Sequence, residues 1–248
     1  MTEKQLELIR EQIRRVKKCG NPFYTERFKN VKPEDIKTQE DFEKLVPFCS
    51  KQDLRDAYPL GLAAVPEEEI VRIHSSSGTT GSPVIIPYTQ KDVDDWTTMF
   101  ARCYEMAGIT NKDRLQITPG YGLWTAGIGF QAGCEKLGAM AIPMGPGNTE
   151  KQLQMMQDLQ ATVICATSSY ALLLAEQVEK RNLMNNIKLK KELLVLNAGA
   201  KKCAKESAAF LELNFTIFMD LQNVMVLELV LTVQSRQKES MFLMITFI

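Results

Sequence analysis

One dense run of the chain has the residue types that bind phosphate. Residues 75–82 are all Ser, Gly or Thr, and Gly78 and Gly81 leave the backbone N–H groups accessible. A loop with many fixed hydrogen-bond donors suits the delocalised negative charge of a phosphate chain. A solvated polar turn is the alternative. Strand-like residues on both sides of this eight-residue run favour the phosphate loop.

Several other chemistries are excluded by the residues that are missing. No Gly-Lys-Ser/Thr closes the run and no helix follows it at once, so it is not the loop of a P-loop NTPase. His74 is the one histidine of the sequence, which excludes sites that need two imidazoles in this chain. We expect His74 to be packed beside the loop, without an acid/base role. The six cysteines form no CxxC pair and no metal-ligand spacing, which predicts reduced thiols and no metal site.

The composition favours small-molecule chemistry. The 248 residues are 45% hydrophobic, enough for one large domain or two small ones, and 30 basic residues balance 30 acidic ones. No global field therefore favours nucleic acid or an anionic membrane as a partner. Charged residues interrupt the N-terminus where a secretory signal needs an apolar core, so we expect a cytoplasmic location.

The pattern of apolar residues predicts a helical segment followed by an α/β domain. Leu6, Ile9, Ile13 and Val16 recur at helical spacing, and we expect residues 1–68 to be mostly helical. Residues 69–191 begin with two strands that flank the Ser/Gly/Thr run, and short strands then alternate with helices. This alternation predicts an α/β fold, with a mostly parallel sheet flanked by helices.

Several segments together resemble the phenylacetate-CoA ligase family within the adenylate-forming superfamily. Ile-His-Ser-Ser-Ser-Gly-Thr-Thr-Gly at 73–81 and Tyr-Gly-Leu-Trp-Thr-Ala-Gly at 121–127 carry most of the likeness. The other matching positions, in chain order, are residues 21–24, 41–59, 83, 88–89, 138–143, 147–149 and 167–170. The resemblance runs from about residue 5 to Lys191 and implies the N-terminal part of the large adenylate-forming domain, without the lid domain.

The resemblance implies a two-step reaction that uses ATP, Mg²⁺ and coenzyme A. An aryl carboxylate attacks the α-phosphate of ATP, and the thiol of coenzyme A then displaces AMP. The family's phosphate-loop positions fall on Ser76, Ser77, Gly78, Thr79, Thr80 and Gly81. Its aryl-acid pocket positions fall on Tyr121, Gly122, Trp124, Thr125 and Gly127. For Trp124, an ordinary core aromatic is an equally good interpretation.

Two positions depart from the family. Ser82 stands where relatives usually have lysine, which removes a cation near the phosphates. Ser168 replaces a usual proline, which we interpret as a change of backbone preference only. The resemblance leaves the oligomeric state open, a homodimer included, and the sequence does not choose among aryl acids.

After Lys191 the resemblance stops, and a displaced reading frame explains the change. When each codon's third base is read with the first two bases of the next codon, residues 216–232 permit DIYGLTECYGPG, one undetermined residue and GLD. The single codon of methionine forces the glycines after Met219 and Met225. Residues 194–204 likewise permit GAE, then Arg or Cys, then WSEEMR. We therefore interpret residues 192–248 as a frame-shifted tail that follows a one-base deletion, in the gene or in its sequencing, with divergence of a short paralogue as the alternative.

Without the missing motifs we expect this chain to be inactive by itself. In the family those motifs bind adenine, Mg²⁺ and ribose, and the lid brings a catalytic lysine. Catalytic groups act together, so one phosphate loop does not support adenylation at a useful rate. The sequence therefore assigns no catalytic residue. A non-catalytic module that binds a nucleotide or an aryl acid is the second interpretation.

Overall fold

The computed structural model describes residues 1–76, 82–195, 200–211, 213–220, 226–235 and 238–247. The chain forms two compact units, Met1–Lys91 and Asp92–Ile248. The hairpin that borders the predicted phosphate loop falls in the first unit, whereas the sequence predicted a domain boundary at 68/69. That predicted boundary stays a prediction. No helix in the described ranges is long and apolar enough to cross a membrane.

The first unit is helical up to a short β-hairpin. Its helices are α1 (Glu3–Lys18), α2 (Pro22–Arg27), α3 (Gln39–Leu45) and α4 (Lys51–Asp56), with 3-10 turns at Pro33–Asp35 and Glu67–Glu69. The strands β1 (Arg72–Ser75) and β2 (Ile85–Tyr88) pair antiparallel, with Ser75 opposite Ile85. Loop residues 77–81, between these strands, lie outside the described residues.

Local sequence explains where the first helix begins and which face it buries. Thr2 and Gln5 form a capping box, in which each side chain accepts a hydrogen bond from the other residue's backbone N–H. The buried side chains of Leu6 and Ile13 pack with Val31 and Ile36 in a small apolar core. The apolar stripe predicted from the sequence is therefore the packed face of α1.

The second unit alternates helices and strands as the sequence predicted. Its elements up to residue 195 are α5 (Gln90–Met106), β3 (Arg114–Ile117), α6 (Ala126–Leu137), β4 (Met140–Pro143), α7 (Thr149–Asp158), β5 (Val163–Thr167), α8 (Ser168–Lys180) and β6 (Lys191–Val195). The described remainder contains α9 (Ala200–Phe210), β7 (Asn214–Asp220), β8 (Val226–Ser235) and β9 (Lys238–Phe247).

These strands form one sheet in the order β4-β3-β5-β6-β7-β8-β9. Strands β3 to β7 pair parallel, and β7, β8 and β9 pair antiparallel. Parallel strands end on the same edge of a sheet, so the loops after β3, β4 and β5 meet at one carboxyl edge. The predicted parallel α/β sheet is confirmed, and the three added C-terminal strands extend it.

The core of the second unit lies between the sheet and its helices. Buried apolar side chains on this face include Ile142, Leu153, Met156, Ile164, Leu174, Val178, Leu194, Ala208, Leu211 and Leu213. Leu193 and Leu194 are fully buried in β6. Polar side chains are buried in this unit as well, and among them is the carboxyl group of Glu192.

Candidate functional site

The described base of the predicted phosphate loop is closed by Ser76 and Val84. The backbone N–H of Ser76 donates to the carbonyl of Val84 at 3.0 Å, and the N–H of Val84 donates to the Ser76 hydroxyl oxygen at 2.9 Å. These bonds continue the β1–β2 ladder by one step, so they fix where the loop leaves the hairpin. The remaining predicted phosphate ligands, Ser77, Gly78, Thr79, Thr80 and Gly81, lie outside the described residues.

His74 is packed inside this hairpin. Its side chain is 3% exposed, and its ring meets the Tyr88 ring edge-to-face at a centroid distance of 5.1 Å. His74 lies opposite Ile86 in the ladder, one residue before Ser75 at the end of β1. This position agrees with the prediction that His74 flanks the loop as a packed residue.

The predicted pocket residues lie between the end of β3 and the first turn of α6. Tyr121 and Gly122 are exposed, Trp124 is half-buried, and Thr125 and Gly127 are buried. Thr125 is the residue before α6, and its carbonyl accepts the N–H of Gly129 at 2.9 Å. The structure therefore brings all five predicted pocket residues onto one short segment at the carboxyl edge of the sheet.

Gly127 allows this segment to lie directly on α6. A Cβ atom at position 127 would lie 2.5 Å from the carbonyl oxygen of Gly120 and 3.0 Å from that of Pro119. A real Cβ atom essentially never approaches an oxygen so closely, so the backbone path requires glycine here. Glycine at position 127 is therefore explained by this backbone contact, and its predicted place in the aryl-acid pocket stays a prediction.

A second loop, residues 145–147 after β4, faces the same segment. A Cβ atom on Gly145 would lie 3.9 Å from Cδ2 of Tyr121, and one on Gly120 would lie 3.9 Å from Cγ of Pro146. The backbone N–H of Gly145 donates to the carbonyl of Ile117 at 3.0 Å, which holds this loop against the end of β3. Residues 145–147 therefore lie against the 120–121 segment at the carboxyl edge.

Gln152 positions the 145–147 loop, although no sequence motif pointed to it. Its Nε2 donates to the carbonyl of Gly145 at 2.8 Å, and its Oε1 accepts a hydrogen bond from Nε2 of Gln116 at 2.6 Å. Both glutamines are buried. The sequence gives no signal for this role, because the hydrogen-bond partners of Gln152 lie on a neighbouring strand and in the preceding loop.

Tyr170 reaches the same loop from the start of α8. Its hydroxyl donates to the carbonyl of Gly147 at 3.2 Å. The neighbouring Ser168 is 2% exposed, and its hydroxyl oxygen has no hydrogen-bond partner within the described ranges. Because α8 starts directly after β5, the first turn of α8 also borders the carboxyl edge of the sheet.

The electrostatics of the pocket segment favour a neutral hydrogen-bonding group. Burial, with a smaller contribution from the nearby Cys165 and Glu135, raises the pKa of Tyr121 to about 12. The phenol therefore stays protonated at neutral pH and can donate a hydrogen bond. The described residues contain no group of three His, Cys, Asp or Glu side chains that could hold a metal ion.

Comparison with solved structures identifies the fold as that of adenylate-forming CoA ligases. A 2-hydroxyisobutyryl-CoA ligase in an open conformation, in complex with 2-HIB-AMP and CoA, superposes with a TM-score of 0.78 over 90% of this chain and 55% of that chain, at 24% identity. The same ligase in the thioesterification state gives a TM-score of 0.74 at 26% identity, covering 89% of this chain and 49% of that chain. No family model matches the sequence.

The curated proteins that are similar to this chain are phenylacetate-CoA ligases. The chain is 45% identical to the Pseudomonas putida phenylacetate-coenzyme A ligase over 164 residues, 65% of this chain and 37% of that enzyme. It is 46% identical to the Escherichia coli K12 enzyme over 162 residues, covering 64% and 37%. For the Aromatoleum evansii enzyme the identity is 43% over 178 residues, covering 71% and 40%.

The chain is thus a relative of the phenylacetate-CoA ligases, as the sequence motifs predicted. The matched segment spans 37–40% of the length of these three relatives. This coverage agrees with the predicted resemblance to an N-terminal portion of the family.

Proposed function

We propose that this chain is part of an AMP-forming ligase that joins a phenylacetate-like aryl acid to coenzyme A. A carboxylate oxygen of the acid attacks the α-phosphorus of ATP and pyrophosphate leaves, which forms an acyl-adenylate. The thiol of coenzyme A then attacks the acyl carbon, and AMP leaves. The observation that carries this proposal is the 43–46% identity to three phenylacetate-CoA ligases.

The Ser/Gly/Thr run is proposed to hold the β- and γ-phosphates of ATP. Ser76 closes the base of the run, and its hydroxyl oxygen is already an acceptor for the Val84 N–H. That hydroxyl can still donate its own hydrogen to a phosphate oxygen. Mg²⁺ bound with ATP would supply positive charge to the departing pyrophosphate. The described residues offer no cluster of metal-binding side chains, so we assign no protein ligand to the ion.

The carboxyl-edge site is proposed to bind the aryl acid. Tyr121 forms one side and the loop 145–147 forms the other. Gly122 is exposed, and a Cβ atom added to it would meet nothing within 4 Å. Parallel α/β sheets commonly bind ligands outside the carboxyl ends of their strands. Half-buried Trp124 has the area and apolar character to pack against an aromatic ring.

We further propose that the chain as it stands is inactive and that residues 192–248 are frame-shifted. The fully buried Glu192 carboxyl group supports this, because burying an ionisable group in a central strand is destabilising even though the Ser207 hydroxyl donates a hydrogen bond to it. We place the protein in the cytoplasm. A homodimer is compatible with the family resemblance.

Calorimetry and a product assay separate the two candidate functions. The chain is titrated with ATP and, separately, with phenylacetate, and pyrophosphate release is measured with both substrates present. Binding without release supports a non-catalytic binding module, and absence of both binding and release supports an inactive fragment of a ligase. Steady pyrophosphate release contradicts the proposed inactivity.

Sequencing the DNA around the codons of residues 189–192 tests the displaced frame. A missing base there, with the ligase motifs continuing in the alternate frame, supports the proposal. An intact read without those motifs downstream refutes it. If the base is missing, restoring it gives a longer chain, and pyrophosphate release by that chain tests the proposed ligase reaction itself.

A further inference from the structure

Two buried glutamines connect strand β3 to the loop 145–147. Gln116 of β3 and Gln152 of α7 are 0% and 1% exposed. Nε2 of Gln116 donates to Oε1 of Gln152 at 2.6 Å and to the backbone carbonyl of Gln152 at 3.0 Å. Nε2 of Gln152 donates to the carbonyls of Gly145 and Gly147, at 2.8 and 3.4 Å. The two NH₂ groups thus make four hydrogen bonds, one for each of their hydrogens.

The loop carbonyls fix the direction of this glutamine pair. A carbonyl oxygen only accepts hydrogen bonds, so Gln152 must turn its NH₂ group toward Gly145 and Gly147. The side-chain oxygen of Gln152 then faces Gln116, which must turn its own NH₂ group toward Gln152. This orientation leaves Oε1 of Gln116 buried and without a hydrogen-bond partner in the part of the chain that the structure describes. Because such an acceptor is destabilising, the orientation of Gln116 is explained by its bonds to Gln152.

The other neighbours of Gln116 on this face of the sheet are apolar. Ile142 of β4 and Ile164 of β5 lie opposite Gln116 on the two adjacent strands, and both belong to the buried apolar core. An apolar side chain at position 116 would match these neighbours and would leave no oxygen without a partner. A glutamine at this position is therefore explained by what it does for Gln152 and not by the packing of the core.

The loop that Gln152 holds lies against the proposed aryl-acid site. The backbone N–H groups of Met144 and Gly145 both donate to the carbonyl of Ile117, at 3.1 and 3.0 Å. These bonds fix the start of the loop, and Gln152 fixes the carbonyl group of Gly145. A Cβ atom on Gly145 would lie 3.9 Å from Cδ2 of Tyr121. A displacement of the loop therefore changes the surroundings of Tyr121.

We infer that Gln116 is a positioning residue, which through Gln152 holds the loop 145–147 in its place beside Tyr121. Its side chain is fully buried, so it acts through Gln152 and not by contact with a ligand. That this loop borders an aryl acid rests on the proposed function. The hydrogen-bonded connection from Gln116 to the loop does not.

Hydrogen exchange of the full chain, resolved by NMR, tests the connection without any ligand. Gln116→Met keeps a side chain of similar length and removes its donor, so Gln152 loses the partner that orients it. The amides of Met144 and Gly145 are expected to exchange ~5-fold faster relative to the amides of β5, as for the loss of about one hydrogen bond. Normalising to β5 removes the effect of any opening of the whole sheet.

Ile164→Val is the matched control for this experiment. It removes one methyl group from the residue opposite Gln116 in β5 and leaves the four hydrogen bonds of the glutamine pair intact. The relative exchange of Met144 and Gly145 should stay unchanged in this variant. Unchanged relative exchange in Gln116→Met overturns the inference, and so does an equal rise in Ile164→Val.

A double-mutant cycle with phenylacetate, measured by calorimetry, tests the effect on the proposed site. Gln116→Met and Gln152→Leu are each expected to weaken phenylacetate binding by ~3-fold or more. The double variant should bind no more weakly than Gln152→Leu alone, because Gln116 acts through Gln152. Ile164→Val should not weaken binding, either alone or combined with Gln152→Leu.

The two readouts separate this inference from the proposed function. Additive losses in the double variant mean that Gln116 does not act through Gln152, which overturns the inference while the aryl-acid site stands. Faster loop exchange in a chain that binds no phenylacetate supports the positioning role of Gln116, and the aryl-acid site proposed for this chain is then wrong.

Discussion

Gly127 lies against the carbonyl group of Gly120, close enough that a Cβ atom at position 127 would be 2.5 Å from that oxygen. The contact joins the first turn of α6 to the segment that follows β3. It therefore sets the path of Tyr121 and Trp124, the two aromatic residues of the predicted aryl-acid site. The position of these side chains therefore depends on the absence of a Cβ atom at position 127.

Gly127→Ala is accordingly expected to destabilise the fold by about 1–3 kcal/mol, as for other overpacked sites. Because the clash is with backbone rather than with a flexible side chain, the 120–124 segment must shift, and phenylacetate affinity should fall. Urea denaturation and calorimetric titration measure the two effects. Gly122→Ala is the control, since a Cβ at that position meets nothing within 4 Å. Equal effects of the two substitutions would contradict this explanation.

Most of the fold could be predicted from the sequence because its signals are local. The helical spacing from Leu6 to Val16 predicts α1, whose observed bounds are Glu3–Lys18. The alternation of short strands and helices predicts the parallel sheet. The sheet order depends on long-range packing, and no pattern in the sequence encodes it. The three strands after Asn214 extend the sheet through pairings that local patterns do not reveal.

The candidate site was predictable only where its residues are close in sequence. The segment from Tyr121 to Gly127 was found as one motif, and the structure keeps it together at the carboxyl edge. Gly145 and Gln152 were missed as members of the site, because their contacts to Tyr121 and Gln116 join residues more than 20 positions apart. Such contacts follow from the parallel strand order.

Gln152→Leu tests whether this glutamine positions the loop opposite Tyr121. The substitution leaves the Gly145 carbonyl without its 2.8 Å donor and removes an acceptor from buried Gln116. An unsatisfied buried polar group costs about 1–3 kcal/mol, so the unfolding free energy should fall by that amount. Phenylacetate binding should weaken as well. Gln154→Leu, at an exposed position of the same helix, should change neither quantity by more than about 0.5 kcal/mol.

The Glu192 carboxyl group is expected to make stability depend on pH. Burial raises its pKa from 4.5 to about 7, and the hydrogen bond from the Ser207 hydroxyl, at 2.9 Å, opposes that rise only in part. A carboxyl group with a raised pKa in the folded state stabilises the fold below its unfolded pKa. That contribution is lost as pH rises through the folded value. Unfolding free energy should therefore fall between pH 4.5 and 8, by up to about 3 kcal/mol.

Glu192→Gln isolates this effect, because the amide cannot ionise and can still accept the Ser207 hydrogen bond. The difference in unfolding free energy between the variant and the unmodified chain should grow with pH across this window. Subtracting the two curves removes the contributions that both chains share. Glu179→Gln, on the exposed face of α8, is the matched control. A difference that does not vary with pH would refute the buried-carboxylate explanation.

Ser82→Lys tests the departure of the phosphate loop from the family pattern. Ser82 is exposed beside the loop base formed by Ser76 and Val84, at a position where the family resemblance implies a lysine. A solvent-screened cation at this position is expected to tighten ATP binding by ~2- to 5-fold at low salt, in line with the strength of exposed ion pairs. The gain should shrink in 0.5 M NaCl, because salt screens exposed charges. Ser82→Gln adds length without charge and should leave the affinity unchanged. If Ser82→Gln tightens ATP binding as much as Ser82→Lys does, the missing charge does not explain the effect of serine at this position.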